Sequence, residues 1–305
     1  SLLSSSLNVL NDTIGQTVID YVRGVDAPSY RNRSVSISYP NTNPAPLNAD
    51  VPGASVVPGV GVWKLGDIVS STPQSLTSKQ LHSFDTAYND SSYARFYNSY
   101  EYNRRNMVFT AANDGMLHAF SIGKVTKPTY SALNPNRIAI LTDLGDTSYV
   151  GDEAWAFVPR NALPYLKYLG DPAYNHLYYV NNTVSLLDVS INKPTTSISA
   201  CTQSEYWKCD KSTTYSNAVT KTIDEDTTSC RTVLIGGMGL GGASRDSADF
   251  CNNNDGTTPA NLAAQTRSDC VKTQISGIGL SSFFALDVTN PVSPKFLWEF
   301  SDAVL

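Results

Sequence analysis

Met107-Val108-Phe109-Thr110-Ala111-Ala112-Asn113-Asp114-Gly115-Met116-Leu117-His118-Ala119-Phe120 decides how the rest of this chain is read. Two apolar runs flank Asn-Asp-Gly, and Asp and Gly tolerate the positive φ that a tight hairpin turn needs. The stretch therefore predicts two antiparallel strands joined at Asn113 to Gly115. The form returns between Leu177 and Val189, where Asn181-Asn182 separates Tyr178-Tyr179-Val180 from Val184-Ser185-Leu186-Leu187. It returns in pieces at Arg231 to Gly237 and at Ser281 to Val288. Between these lie two short Trp-centred strands, Ala154-Trp155-Ala156-Phe157-Val158 and Phe296-Leu297-Trp298-Glu299-Phe300.

A unit follows from this: strand, tight turn, strand ending in Ala-Phe or Leu-Asp-Val, loop, Trp-bearing strand. Loose repetition of four-strand units marks a β-propeller, whereas a sandwich would give short strands without the returning motif. Three units are recognisable, fewer than the about four to eight blades that close a propeller. The expected fold class is all-β: a quinoprotein-like β-propeller, incomplete in this chain, with a short N-terminal helix and a linker arm.

Outward from that core, Asn11 or Asp12 can cap a helix. Ile14, Val18, Ile19 and Val22 recur at helical spacing before Gly24 ends it. A Pro/Asn/Ser-rich passage from Asp26 to Pro58 reads as linker or arm, with a local run Val35 to Tyr39. The expected organisation is residues 1–60 as helix and linker and residues 61–305 as partial propeller. Cysteine-bearing insertions at 190–230 and 243–276 interrupt the second part. Loops of that length are usually functional or disordered, and here the cysteines argue for order.

Composition supports this class. Tyr (17) outnumbers Phe (10), and charged residues make up only 16% of 305 residues. Such a mixture suits half-buried pleated surfaces and turns more than a helical bundle. The net charge of −5, without a Lys/Arg cluster, argues against nucleic acid as a partner. No apolar run approaches the roughly 20 residues that span a bilayer. The absence of an initiator Met and of a signal peptide reads as a mature or partial chain.

Cys201, Cys209, Cys230, Cys251 and Cys270 all fall in the two polar insertions, which lack the apolar content to build a core. Disulfides are the favoured reading, with Cys251 to Cys270 and two of Cys201, Cys209 and Cys230 as pairs. Zinc and free thiols are the alternatives; no pair has C-x-x-C spacing. The odd count leaves one thiol over.

Other features point to structure before chemistry. Gly237-Met238-Gly239-Leu240-Gly241-Gly242 satisfies G-x-G-x-x-G, but no amphipathic helix follows to face a pyrophosphate. A glycine-rich strand end against neighbouring backbone is expected instead. His82, His118 and His176 are the three histidines; His118 is expected in a core or between sheets. Asp67 and Asp287 read as hydrogen-bonders at turns and strand ends. Tyr93, Phe96, Tyr97, Tyr100 and Tyr102 fit a short helix packed on the sheets better than a sugar-stacking platform. Asn253, Asp255 and Gly256 match three positions of a calcium loop, but Cys251 stands where the first ligand belongs. No nucleophile elbow or H-E-x-x-H is present, so no catalytic, cofactor or metal residue is assigned.

Several strings then carry a resemblance. Val18-Ile19-Asp20-Tyr21-Val22-Arg23-Gly24 with Tyr30-Arg31-Asn32-Arg33 comes first, followed by Val62-Trp63-Lys64-Leu65-Gly66-Asp67-Ile68-Val69-Ser70-Ser71-Thr72-Pro73. Asn103-Arg104-Arg105 then leads into Ala112 to Phe120. Glu153 to Pro159, Thr232 to Gly239, Ala285 to Thr289 and Leu297 to Phe300 follow in order. Together they resemble the propeller region of the PilY family. The resemblance implies a secreted, extracellular protein at the tip of type IV pili, exported through the periplasm. It implies roles as adhesin and pilus assembly factor, with minor pilins and a host or abiotic surface ligand as partners. It also implies a calcium site, expected beyond this chain, and no cofactor within it. Binding without catalysis is the expected function. A quinoprotein-like enzyme and a lectin-like carbohydrate-binding module are the alternatives.

Overall fold

The computed structural model describes residues 2–37, 59–62, 64–127, 139–142, 150–172, 174, 176–191, 211–242 and 281–301. The chain divides into two units. Within the first, α1 (Leu2–Ser6) precedes α2 (Asp12–Val22), and the Asn11 side chain caps α2 by accepting the Ile14 N–H at 3.0 Å. The expected helix thus forms where its cap and spacing placed it, and Gly24 follows at φ +97. Val18 and Tyr21 are buried; Tyr21 donates its hydroxyl to the Arg31 carbonyl, and the Arg33 guanidinium lies 3.6 Å over its ring.

Strands β1 (Ser34–Ile37) and β2 (Gly59–Val62) pair antiparallel. Part of the passage read as a linker is therefore a strand, satisfied by a partner some twenty residues away in sequence. A short 3-10 segment, Leu163–Gly170, supplies buried Tyr165, Leu166 and Leu169. Its buried Lys167 donates to the Asn8 carbonyl at 2.7 Å.

The second unit holds the remaining strands. In chain order these are β3 (Gln74–Leu76), β4 (Met107–Ala111), β5 (Leu117–Ser121), β6 (Lys124–Thr126), β7 (Ile140–Thr142) and β8 (Glu153–Phe157). They continue with β9 (Ser185–Ser190), β10 (Tyr215–Asn217), β11 (Thr222–Ile223), β12 (Cys230–Gly237), β13 (Ser282–Asp287) and β14 (Lys295–Ser301). Two antiparallel four-stranded sheets result, ordered β3-β4-β5-β8 and β9-β12-β13-β14, with β6-β7 and β10-β11 as small hairpins. The described residues are thus mostly antiparallel sheet, and they form no closed sheet.

Both sheets repeat one irregularity. Ala119 opposes Trp155, and the register slips before Phe120 opposes Glu153. Ala285 opposes Trp298, and the register slips before Leu286 opposes Phe296. An extra residue at the same place bends each outer strand alike.

The sheets pack through a defined pair of faces. Phe109, Ala119, Trp155 and Phe157 share one face of the first sheet by register. Phe157 meets Phe284 at 5.1 Å and Phe296 at 6.1 Å between ring centroids. Trp155 donates its indole N–H to the Pro291 carbonyl at 2.6 Å. Glu299 accepts the backbone N–H groups of Arg160 and Asn161 at 2.8 and 3.1 Å. Full burial of Phe109 and Phe284 contributes roughly 1.5–3 kcal/mol each.

The hairpin at Asn113 to Gly115 forms as expected, with Ala112 N–H to the Met116 carbonyl at 3.0 Å and Gly115 at φ +90. The second expected hairpin does not. Leu177 to Val180 is not a strand, because other partners take its donors: Tyr179 N–H goes to the Asn113 side-chain oxygen and Asn181 N–H to the Met238 carbonyl.

Candidate functional site

The densest polar constellation is one that the sequence reading missed. Asp188, on β9, is buried. One carboxylate oxygen accepts the hydroxyls of Tyr102 at 2.6 Å and Tyr93 at 2.8 Å. The other accepts the Thr232 hydroxyl at 2.7 Å and faces the Arg105 guanidinium at 3.4 Å. Arg105 is fully buried, donates to Thr232 at 2.6 Å and to the Thr77 carbonyl at 3.2 Å, and lies 3.2 Å over the Tyr102 ring.

The aromatics arrive because Asp90 caps α4 (Ser91–Tyr97; α3 is Phe84–Ala87), accepting the N–H groups of Ser92 and Tyr93. Tyr93, Phe96, Tyr102, Ile223 and Cys230 form one buried cluster. Burial raises the Tyr93 and Tyr102 hydroxyls well above the ordinary tyrosine range, and the Asp188 carboxylate adds to it. Both therefore stay as donors. The reading of this aromatic stretch as packed helix is correct, and Tyr93, Phe96 and Tyr102 offer no sugar platform.

A signal for the hub existed in the repeated tripeptides Leu187-Asp188-Val189 and Leu286-Asp287-Val288. Each aspartate meets an arginine near the start of a strand. Asp287 pairs with Arg231 Nε at 3.2 Å and accepts the Thr289 N–H at 2.9 Å.

The second constellation centres on His118, buried on the other face of the first sheet. Nε2 lies 3.0 Å from the Asp114 carboxylate, and Nδ1 lies 2.5 Å from Glu153. Burial alone would lower its pKa, but the hydrogen bonds and charges of Asp114 and Glu153 outweigh that and push it up to about 9. Glu153 is in turn held below its ordinary range, chiefly by the His118 hydrogen bond. With both ring nitrogens engaged, His118 has no lone pair free to take a proton from a substrate. The carboxylates approach opposite nitrogens of the ring, so the cluster is an ion-pair clamp on His118. Among the described residues, no group of three or more His, Cys, Asp or Glu side chains is placed to hold a metal ion.

The other sequence candidates resolve as follows. Asp67 accepts the Asn113 side-chain amide at 2.8 Å, and its carbonyl accepts the Asn113 N–H. The glycine run after β12 forms a short 3-10 turn, Gly239–Gly242, with no helix facing a phosphate. A Cβ at Gly241 would stand 1.5 Å from the Tyr179 carbonyl oxygen, which is the close backbone approach expected there. His82 stacks on Phe84 at 4.6 Å. Cys230 is a buried free thiol, 3.6 Å from the Ser92 hydroxyl. Cys201, Cys209, Cys251, Cys270, Asn253, Asp255 and Gly256 lie outside the described residues.

No helix among the described residues is long and apolar enough to cross a membrane. No family model and no solved structure matches the chain. Two curated proteins of Xylella fastidiosa do, each described as a type IV pilus biogenesis factor PilY1 homolog. One is 32% identical over 127 residues, covering 41% of this chain and 8% of that protein. The other is 29% identical over 138 residues, covering 42% and 7%. The matched part of the chain therefore spans less than a tenth of the length of either relative.

Proposed function

We propose that this chain, a distant relative of the PilY family, is part of a type IV pilus biogenesis factor and acts by binding. The observation that carries this is the match to two proteins named for that role. The geometry supports the rest of the reading. Each large sheet is a four-strand meander in sequence order, their first strands β3 and β9 run side by side, and both carry the same Trp and register slip. These features support the reading of the two sheets as blades of a β-propeller.

The described polar clusters are consumed internally: Asp188 by two tyrosines, a threonine and an arginine, and His118 by two carboxylates. Such a scaffold presents surfaces and performs no chemistry of its own. The insertions supply the variable surface, outside the cell at the pilus tip, while minor pilins form the constant contact. Interfaces of this kind bury about 800 Å² per partner.

The insertion at 190–230 is not uniform, and this shapes the test. Ile223 and Cys230 belong to the aromatic core, and Thr228 and Ser229 are fully buried. Deletions should therefore remove 192–210 and 243–276 and leave 211–230 intact. Gene deletion should reduce surface piliation, and the two short deletions should preserve piliation while weakening attachment. Normal piliation in the deletion strain, or turnover of an alcohol or sugar with added quinone and calcium, would refute the proposal.

A further inference from the structure

The β10–β11 hairpin falls in a stretch that reads as an insertion, yet it is tied to the aromatic helix beside it. Tyr215 donates its hydroxyl to the Arg95 carbonyl at 2.6 Å, and the Tyr100 N–H donates to the Lys221 carbonyl at 3.0 Å. The Ile223 N–H reaches both Glu101 carboxylate oxygens, at 3.2 and 3.1 Å, and the Ile223 side chain joins the core with Tyr93 and Phe96. The outer side of this junction carries cations on tyrosines. Arg95 is exposed on α4, with its guanidinium 4.7 Å over the Tyr215 ring. Arg104 donates to the Tyr100 hydroxyl at 2.7 Å and lies 5.0 Å from the centroid of that ring. Lys221 is exposed, and Val219 at the hairpin tip is 93% exposed.

The local charge opposes that of the whole chain. Against a net charge of −5, residues 91–104 and 215–223 hold the cations Arg95, Arg104 and Lys221 and the single carboxylate Glu101. Glu101 is half-buried and engaged by the Ile223 N–H, and burial raises its pKa. The neighbouring Glu225 is paired with Lys295. The junction is therefore a cationic, aromatic surface on an acidic protein.

We propose that this surface docks an acidic protein segment, with Arg95 and Arg104 receiving its carboxylates and Val219 an adjoining apolar side chain. The inference goes beyond the pilus reading and stands without it. An arginine fork binds a carboxylate through two parallel hydrogen bonds. Holding each fork against a tyrosine before binding removes part of the ordering cost. Tyr and Arg are also the residue types that dominate anchoring at protein interfaces. Other occupants fit less well. A sugar ring would stack on an open tyrosine face, whereas Arg95 covers Tyr215 and Arg104 holds Tyr100. A nucleic acid would need a denser row of cations than this acidic chain offers.

Fluorescence anisotropy on the purified full-length protein tests this, with a fluorescein-labelled peptide that alternates glutamate and leucine. The peptide should bind, and bind more weakly as salt rises. Its glutamine counterpart should bind at least about tenfold more weakly, and Arg95→Glu and Arg104→Glu should each cost about tenfold, the loss of one anchoring residue. Arg95→Gln, which keeps the side-chain volume, should weaken binding in the same direction. Lys127→Glu, which reverses an exposed charge just after β6, should leave binding unchanged. No binding, equal binding of the glutamine peptide, or an equal loss in Lys127→Glu would overturn the inference. Displacement of the peptide by a lower concentration of polygalacturonate would assign the surface to an acidic polysaccharide instead. Dimerisation that is lost in Arg95→Glu would assign it to a second copy, and either result also overturns the inference.

Discussion

His118 in the first sheet occupies the position that Phe284 occupies in the second. Each residue precedes the alanine that opposes the tryptophan of its sheet's outer strand, one step before the shared register slip. Phe284 is fully buried and takes the ring of Phe157; His118 is equally enclosed but is held by Asp114 and Glu153. One backbone geometry thus serves an apolar contact in one sheet and an ionic one in the other.

A pH dependence follows. The folded pKa of His118, about 9, lies above its ordinary 6.5. The protonated histidine therefore contributes stability that is present in full below pH 6.5 and is lost as pH rises through 9. The contribution is on the order of 3 kcal/mol. Urea unfolding from pH 6 to 10 should show this decline, and His118→Gln should flatten it. Glu153→Gln should reduce it in part, since Asp114 remains. An unchanged slope in His118→Gln would assign the decline to other groups.

The Asp188 hub has a larger expected effect. Asp188→Ala leaves the fully buried Arg105 without its carboxylate and the Tyr102 hydroxyl without its acceptor, while the Tyr93 hydroxyl keeps the His82 carbonyl. Breaking a buried pair on one side costs about 3–5 kcal/mol. Tyr93→Phe and Tyr102→Phe each lose the hydrogen bond to the carboxylate, roughly 1.5–3 kcal/mol, together with the acceptor of a backbone N–H, that of His82 and of Leu81 respectively. The double change Arg105→Met with Asp188→Leu should be milder than Asp188→Ala alone, because no charge is left unpaired. Chemical denaturation of the four variants measures the order; a double variant worse than the single would contradict it.

These two clusters also show how far the sequence could be read. The strands were legible because alternation, Asp-Gly at Asp114-Gly115 and the paired tryptophans are local signals, and β4, β5, β8, β12, β13 and β14 lie where those signals fall. The cap at Asn11 was legible for the same reason. The hub was not, because Asp188, Arg105, Tyr93 and Thr232 are far apart in sequence and meet only when the sheets assemble. Leu177 to Val180 misled because Leu177, Tyr179 and Val180 are buried without being a strand, with neighbouring donors spent on Asn113 and Met238. The pairing of Ser34–Ile37 with Gly59–Val62 was hidden by the Pro/Asn-rich composition between them.

Two glycines separate backbone proximity from backbone conformation. Gly241 has no room for a Cβ, which would meet the Tyr179 backbone at 1.5 Å, whereas Gly151 has φ +91 and nothing within 4 Å. Gly151→Ala should cost about 1–2 kcal/mol, the left-handed penalty alone. Gly241→Ala must displace the Leu177 to Val180 passage and should cost clearly more. Thermal unfolding compares them, and equal shifts in Tm would mean that the passage yields freely.

Cys230 is the thiol left over by the odd cysteine count. It is a free, buried thiol enclosed with Tyr93, Phe96, Tyr102 and Ile223, and burial pushes its pKa up. A raised pKa means little thiolate, the reactive form. Cys230 should resist alkylation in the folded protein and react fully once urea exposes it. With Cys230 excluded, the expected pairs become Cys201 with Cys209 and Cys251 with Cys270, short loops whose closure contributes about 2–4 kcal/mol each. Non-reducing peptide mapping after alkylation in urea should find both bridges and a single labelled site at Cys230. Cys230→Ser should leave the map unchanged and cost little, since Ser92 lies within reach of the new hydroxyl. Labelling of all five cysteines, or a bridge that includes Cys230, would refute this assignment.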